Sequence, residues 1–150
     1  MQVTLALREK AAQLLAADAA TLAPVALANH VFLVMAAFVA SEASVIGDLT
    51  LATFDGSAAL SAGVGTQAEG LDPNNTNALI TIKSPVGGWR WETTGVTNLP
   101  QTIFGYCMLD NADAVLLGCQ TLDQTITLTA INQVVDLGSI TITQQAGSMT

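Results

Sequence analysis

Charge is scarce in this chain, and positive charge most of all. Four Lys and Arg stand against twelve Asp and Glu in 150 residues, a formal net charge of −8 and a charged fraction of 11%, less than half the roughly 25% of an ordinary soluble domain. The densest cationic group is the pair Arg8 and Lys10. Sequence-independent binding to nucleic acid needs several phosphate-neutralising side chains on one face, so that class is excluded. A single histidine, His30, allows at most one imidazole base, and no serine lies in a G-x-S-x-G turn. Gly63, Gly65 and Gly70 stand in an alanine-rich stretch with no lysine after them, which rules out a phosphate-cradling loop. Asp72, Asn74 and Thr76 have the alternate oxygens that open a calcium loop, but Asn77 stands where glycine is required and Lys83 where a bidentate glutamate belongs. From these shortages we expect no enzyme activity, no cofactor and no metal.

Long uncharged runs are present, and Ala19 to Ser41 is long enough to cross a bilayer. Pro24 near its start, Asn29 and His30 at its middle, and the spacing of Val31, Val34 and Val39 favour a buried strand over His30 to Val39 instead, so no membrane partner is expected. Glu9 and Asp18 also spoil the positive leader of a signal peptide.

The strongest positive signal is the stretch Thr102 to Thr121, two apolar arms around the polar turn Asp110 to Asp113. Asn and Asp suit the turn because their short side chains bond neighbouring backbone N–H groups, and the Ile, Phe, Tyr, Val and Leu on either side prefer extended chain. Arms this apolar read as strands buried on both faces at the middle of a sheet. If Asp110 pairs with Asp113, Cys107 faces Leu116 and Cys119 faces Phe104. The two cysteines then lie on opposite faces and remain separate thiols.

Around the hairpin the remaining chain falls into recognisable pieces. Gln2 to Leu22 is alanine-rich, with Leu7, Ala11, Leu14 and Leu15 at helical spacing, and Pro24 ends it. This helix packs on its own sheet or docks on a neighbouring subunit, so Leu7, Leu14 and Leu15 are interface candidates. Asp55-Gly56 marks a turn, the small-residue stretch Ser57 to Gly70 reads as an arm or surface strand, Leu71 to Asn77 reads as a loop, and Ala78 to Lys83 reads as a short strand. In GWRWETTG, Trp89 and Trp91 share one strand face with Arg90 and Glu92 on the other. The two indoles are core anchors if buried, and an interface hot spot or a sugar-stacking platform if exposed. Two further strands are expected where Ile126 and Leu128, then Ile140 and Ile142, alternate with threonine and serine. The fold class is therefore mainly β: an antiparallel β-sandwich or flattened barrel over 25–150, preceded by an N-terminal α-helix or arm over 1–24.

The order of a first apolar strand, GDLTLATFDG (Gly47 to Gly56), PVGGWRWETTG (Pro85 to Gly95), LPQTIFGYCMLDNADAVLLGC (Leu99 to Cys119) and a threonine-rich final hairpin resembles small virion proteins of tailed bacteriophages, over roughly residues 30 to 145. Capsid decoration (cement) proteins and tail components of similar size are the members compared. The chain departs from that pattern at Met35, Ala36 and Ala37, where a polar, proline-containing step would follow the first strand, and at Ser57 in place of an aromatic. The resemblance implies a non-enzymatic structural protein on the capsid surface, a homo-oligomer, expected to be a trimer, whose partner is the major capsid protein or another virion protein. A tail or baseplate component is the alternative within that class. A carbohydrate-binding module using Trp89 and Trp91 is the alternative outside it.

Overall fold

The computed structural model describes residues 2–3, 30–41, 43–61, 65–67, 79–110, 114–139 and 141–145. The strands are β1 (Gln2–Val3), β2 (His30–Val34), β3 (Leu60–Ser61), β4 (Gly65–Gln67), β5 (Leu79–Lys83), β6 (Arg90–Glu92), β7 (Gln101–Leu109), β8 (Leu116–Leu128), β9 (Val134–Asp136) and β10 (Thr141–Gln145), with a single 3-10 turn at Ile46–Asp48. Every pairing is antiparallel, so the chain is mainly β as expected. A five-stranded sheet runs β1-β8-β7-β2-β3, a three-stranded sheet runs β10-β5-β4, and β6 pairs with β9 as a ribbon. Among the described residues no pairing closes any sheet on itself.

The hairpin β7–β8 lies inside the five-stranded sheet, with β7 in the central place. One face of that sheet carries Val31, Leu33, Ile103, Tyr106, Met108, Leu117 and Leu128, against which Trp89, Trp91 and Val135 of the β6–β9 ribbon pack. The other face carries Val34, Cys107, Leu109, Leu116 and Cys119, covered by Phe38, Ala40, Ile46, Leu49 and Leu51. Arms with apolar side chains on both faces can shed water on both, which is why Gly105 to Leu109 of β7 and the start of β8 are buried without alternation.

Trp89 and Trp91 are 1% and 2% exposed, on the face of β6 opposite the exposed Arg90 and Glu92. Each buried indole contributes at most about 4 to 6 kcal/mol from area alone. Trp91 also donates from Nε1 to the Ala58 carbonyl at 2.9 Å, and Trp89 meets the Tyr106 ring at a centroid distance of 6.3 Å. The end of β6 is tied to the turn that leads into β9 by buried Thr93, whose Oγ1 donates to the Ala130 carbonyl at 2.7 Å and accepts the Gln133 N–H at 2.9 Å.

Two expectations need correcting. First, the second hairpin arm does not end at Thr121; β8 continues to Leu128 and absorbs what was read as a separate strand, because the Leu122, Ile126 and Leu128 side chains still pack toward the core. Second, the first apolar strand ends at Val34 rather than near Val39, where the chain turns away so that Phe38 can cover the sheet. Gln2 and Val3 are extended and paired with Cys119 and Gly118; the expected helix beyond them, and the boundary expected near residue 24, lie outside the described residues. The stretch read as an arm or surface strand contains β3 and β4, both paired. The loop Leu71 to Asn77 lies outside the described residues. The Asp55-Gly56 turn is present, closed by Ser57 N–H donating to the Phe54 carbonyl at 2.9 Å with Gly56 at φ 102°.

Gly105 lets Phe38 reach the sheet. A Cβ there would stand 2.2 Å from the Gln120 carbonyl oxygen and 2.7 Å from the Phe38 ring. Gly105→Ala is expected to destabilise the protein by about 1 to 3 kcal/mol, as overpacking does. Because the nearer obstacle is backbone, adding Phe38→Ala should not restore stability, and urea midpoints of the single and double variants check this.

Candidate functional site

The polar side chains are mostly occupied in holding turns. Asp48 accepts the Val45 N–H at 3.0 Å, and Asp55 accepts the Thr97 N–H at 3.3 Å. Asp110 accepts from Ala114 and Val115 at 3.0 and 3.1 Å, and Asp136 from Gly138 at 2.8 Å. Short carboxylates bond neighbouring N–H groups in this way wherever a chain reverses. Buried Gln101 does the same work deeper in, with Oε1 accepting from the Thr53 N–H at 3.0 Å and Nε2 donating to Thr53 Oγ1 at 3.1 Å. Among the described residues no three His, Cys, Asp or Glu side chains come together as metal ligands. His30 is half-buried at the start of β2, edge-on to Phe32 at 6.2 Å between ring centroids.

What the surface offers instead is the far end of the β7–β8 hairpin. Beyond Phe38 no described residue covers the second face of the sheet, and Thr127 is exposed with its Oγ1 3.1 Å from that of Thr102. Asp123, Gln124 and Thr125 are exposed in succession because β8 is irregular there: Ile103 pairs with Ile126, but Gly105 pairs with Thr121. Four residues of β8, Leu122 to Thr125, thus lie opposite the single residue Phe104, and the strand bulges outward. β1 pairs with β8 only at Gly118 and Cys119, so among the described residues the outer edge of β8 past Thr121 has no neighbouring strand. This uncharged threonine surface with one carboxylate, next to an open strand edge, is a candidate interaction surface. The sequence signal for the bulge is Gln124, a polar residue where the alternation of Leu122 and Ile126 asks for an apolar one.

Of the interface candidates drawn from sequence, Leu7, Leu14 and Leu15 lie outside the described residues. Trp89 and Trp91 do not meet the candidate surface; both are inside the core, so neither presents an indole face to a sugar or a partner. Among the described residues no helix is long and apolar enough to cross a membrane.

The cysteines are free, but not on opposite faces: Cys107 pairs directly with Cys119. Two facts displaced the expected register. The turn closes at Asp110 and Val115, with the Asp110 N–H donating to the Val115 carbonyl at 3.0 Å, so the loop is two residues longer than Asp110 to Asp113 would make it. That change alone preserves the faces. Then Met108 pairs with Gly118 and Leu109 with Leu116, leaving Leu117 as an extra residue, and this bulge exchanges them. Burial pushes the Cys107 thiol up to about 12, with neighbouring Cys119 adding to the rise and a backbone hydrogen bond at Phe32 opposing it. Cys119 and Tyr106 are raised by burial as well.

No family model, no curated protein and no solved structure matches this chain.

The raised thiols make stability depend on alkali. Cys107 in the folded protein keeps its proton to about pH 12, whereas an unfolded cysteine loses it near 9.0. The unfolded state therefore binds fewer protons across that window, and stability falls as pH rises through it. Cys107→Ala should flatten the fall. Urea midpoints of both proteins at about pH 8, 9.5 and 11 check this, and equal slopes would remove Cys107 from the account.

Proposed function

We propose that this chain is a non-enzymatic structural protein of a tailed-phage virion, a decoration protein that seats as a homo-oligomer, a trimer, on the capsid surface against the major capsid protein. The observation that carries the reading is the division of polar groups. The carboxylates Asp48, Asp55, Asp110 and Asp136 are engaged with turn backbone, while the uncharged threonines Thr102, Thr125 and Thr127 lie beside the edge of β8 that no strand among the described residues pairs. A surface of this kind suits contacts that bury area and pair backbone rather than contacts that do chemistry. The low charge of the whole chain supports the same reading, as does its resemblance to phage virion proteins.

Light scattering of the purified protein, alone and with capsid shells of the parent virus, tests it. The expected result is a trimer that binds shells at fixed stoichiometry; a monomer indifferent to shells overturns the decoration role and directs attention to tails and baseplates. Thr125→Lys, which places a charge on the open edge, should lower the oligomer or shell affinity about tenfold or more while moving stability by no more than about 0.5 kcal/mol. Unchanged assembly by that variant would remove the β8 edge from the contact.

A further inference from the structure

Hydrogen-bond direction fixes how close the two cysteines stand. Met35 N–H donates to the Thr50 carbonyl and Ala52 N–H to the Leu33 carbonyl, both at 2.8 Å, bracketing the Val34–Leu51 bridge. Val34 therefore turns its own N–H and C=O the other way, toward Gly105 of β7. In an antiparallel strand that direction recurs at every second residue, so Phe32 likewise exchanges its bonds with Cys107. Cys107 then has no backbone group left to direct at β8, and Cys107–Cys119 is a non-hydrogen-bonded pair. In such pairs the Cα atoms are about 4.5 Å apart and the side chains lean together, within the Cα range of about 4.4 to 6.8 Å that a disulfide spans. The pair lies in an unbroken run of register, Gly105 to Met108 against Thr121 to Gly118, so bridging it requires no slip. Both side chains are 0% exposed and share one core cluster.

We propose that Cys107 and Cys119 are a latent disulfide, closed by exchange with a small-molecule disulfide while the hairpin is still open and sealed when Phe38 and its neighbours cover the sheet. One protein thiolate attacks the small disulfide, forming a mixed disulfide and releasing one small thiol. The second protein thiolate then attacks the mixed disulfide, forming the Sγ–Sγ bond and releasing the other. Two protein thiols are oxidised, one small disulfide is reduced to two thiols, and the protons end on those thiols. In the folded protein both steps are slow, because the thiols are buried away from solvent and burial disfavours the thiolate of each. The bond is therefore set by the redox state in which the chain folds. This inference is independent of the virion reading.

The test uses the full chain, unfolded and reduced, then refolded in glutathione disulfide or in reduced glutathione. Refolding in the disulfide should yield a chain lighter by two hydrogens and free of intermolecular disulfides, with neither cysteine open to iodoacetamide after denaturation. Its thermal midpoint should be higher than that of the reduced form by roughly 5 to 15 °C. Cys107→Ala and Cys119→Ala should each lose the intrachain bond and that rise. Two alkylated cysteines after refolding in the disulfide, mixed adducts alone, disulfide-linked dimers, or a bonded form no more stable than the reduced one would each overturn the proposal.

Discussion

Everything described in this protein depends on the pairing of β7 with β8 and on keeping water from both faces of that pair. A hairpin alone in water is marginal, since its backbone bonds replace bonds to solvent at little net gain. Here one face is closed by Trp89, Trp91 and Val135 and the other by Phe38, Ile46, Leu49 and Leu51. The order of elements follows from that requirement. The chain lays down β2 beside β7's place, passes over one face through residues 38 to 51, and later returns through β6 and β9 to close the other. The small residue at Gly105 and the buried hydroxyl of Thr93 are the local conditions for those two coverings, one by making room and one by tying the ribbon together.

Much of this was legible because apolar alternation and turn chemistry are local properties. The hairpin arms, the short strand ending at Lys83, the Asp55-Gly56 turn and the shared face of Trp89 and Trp91 all follow from residues within a few positions of one another. The burial of the two tryptophans could not be read that way, since the same spacing serves an exposed platform; it depends on a facing sheet that lies far along the chain. The face of the cysteines was misread for a different reason. Register is periodic with period two, so one extra residue reverses it, and nothing in LLGCQ names Leu117 as that residue. Of the candidate surface, Gln124 out of pattern was a legible sign, while the edge of β8 that no described strand pairs is a property of topology.

The open end of the hairpin is consistent with how the rest is closed. Covering both faces along the whole of β8 would need apolar side chains on both, and from Thr121 onward the sequence supplies threonine, aspartate and glutamine on the outer one. A threonine face stays soluble without charge, yet loses little when another surface covers it, because its hydroxyls bond locally, as Thr102 and Thr127 do. Lysine, which guards many strand edges against association, is absent from β8. A chain with four basic residues has few to place, and none of them lies in β8 itself.

The two register shifts divide the hairpin into three runs, and each run has its own role. At the turn, Leu109 pairs with Leu116 and seals the core end; the next run, Gly105 to Met108, carries the cysteine pair under Phe38; the last, Gln101 to Ile103, carries the threonine pair on the wet side. Without the Leu117 bulge Cys107 and Cys119 would lie on opposite faces, and without the Leu122 to Thr125 bulge β8 would run regular and flat where it now projects. Irregularities of this kind disrupt the ladder locally and re-aim the side chains beside them. Both features that distinguish this sheet from an ordinary meander, the opposed thiols and the projecting edge, thus arise at places where pairing is broken rather than where it is ideal.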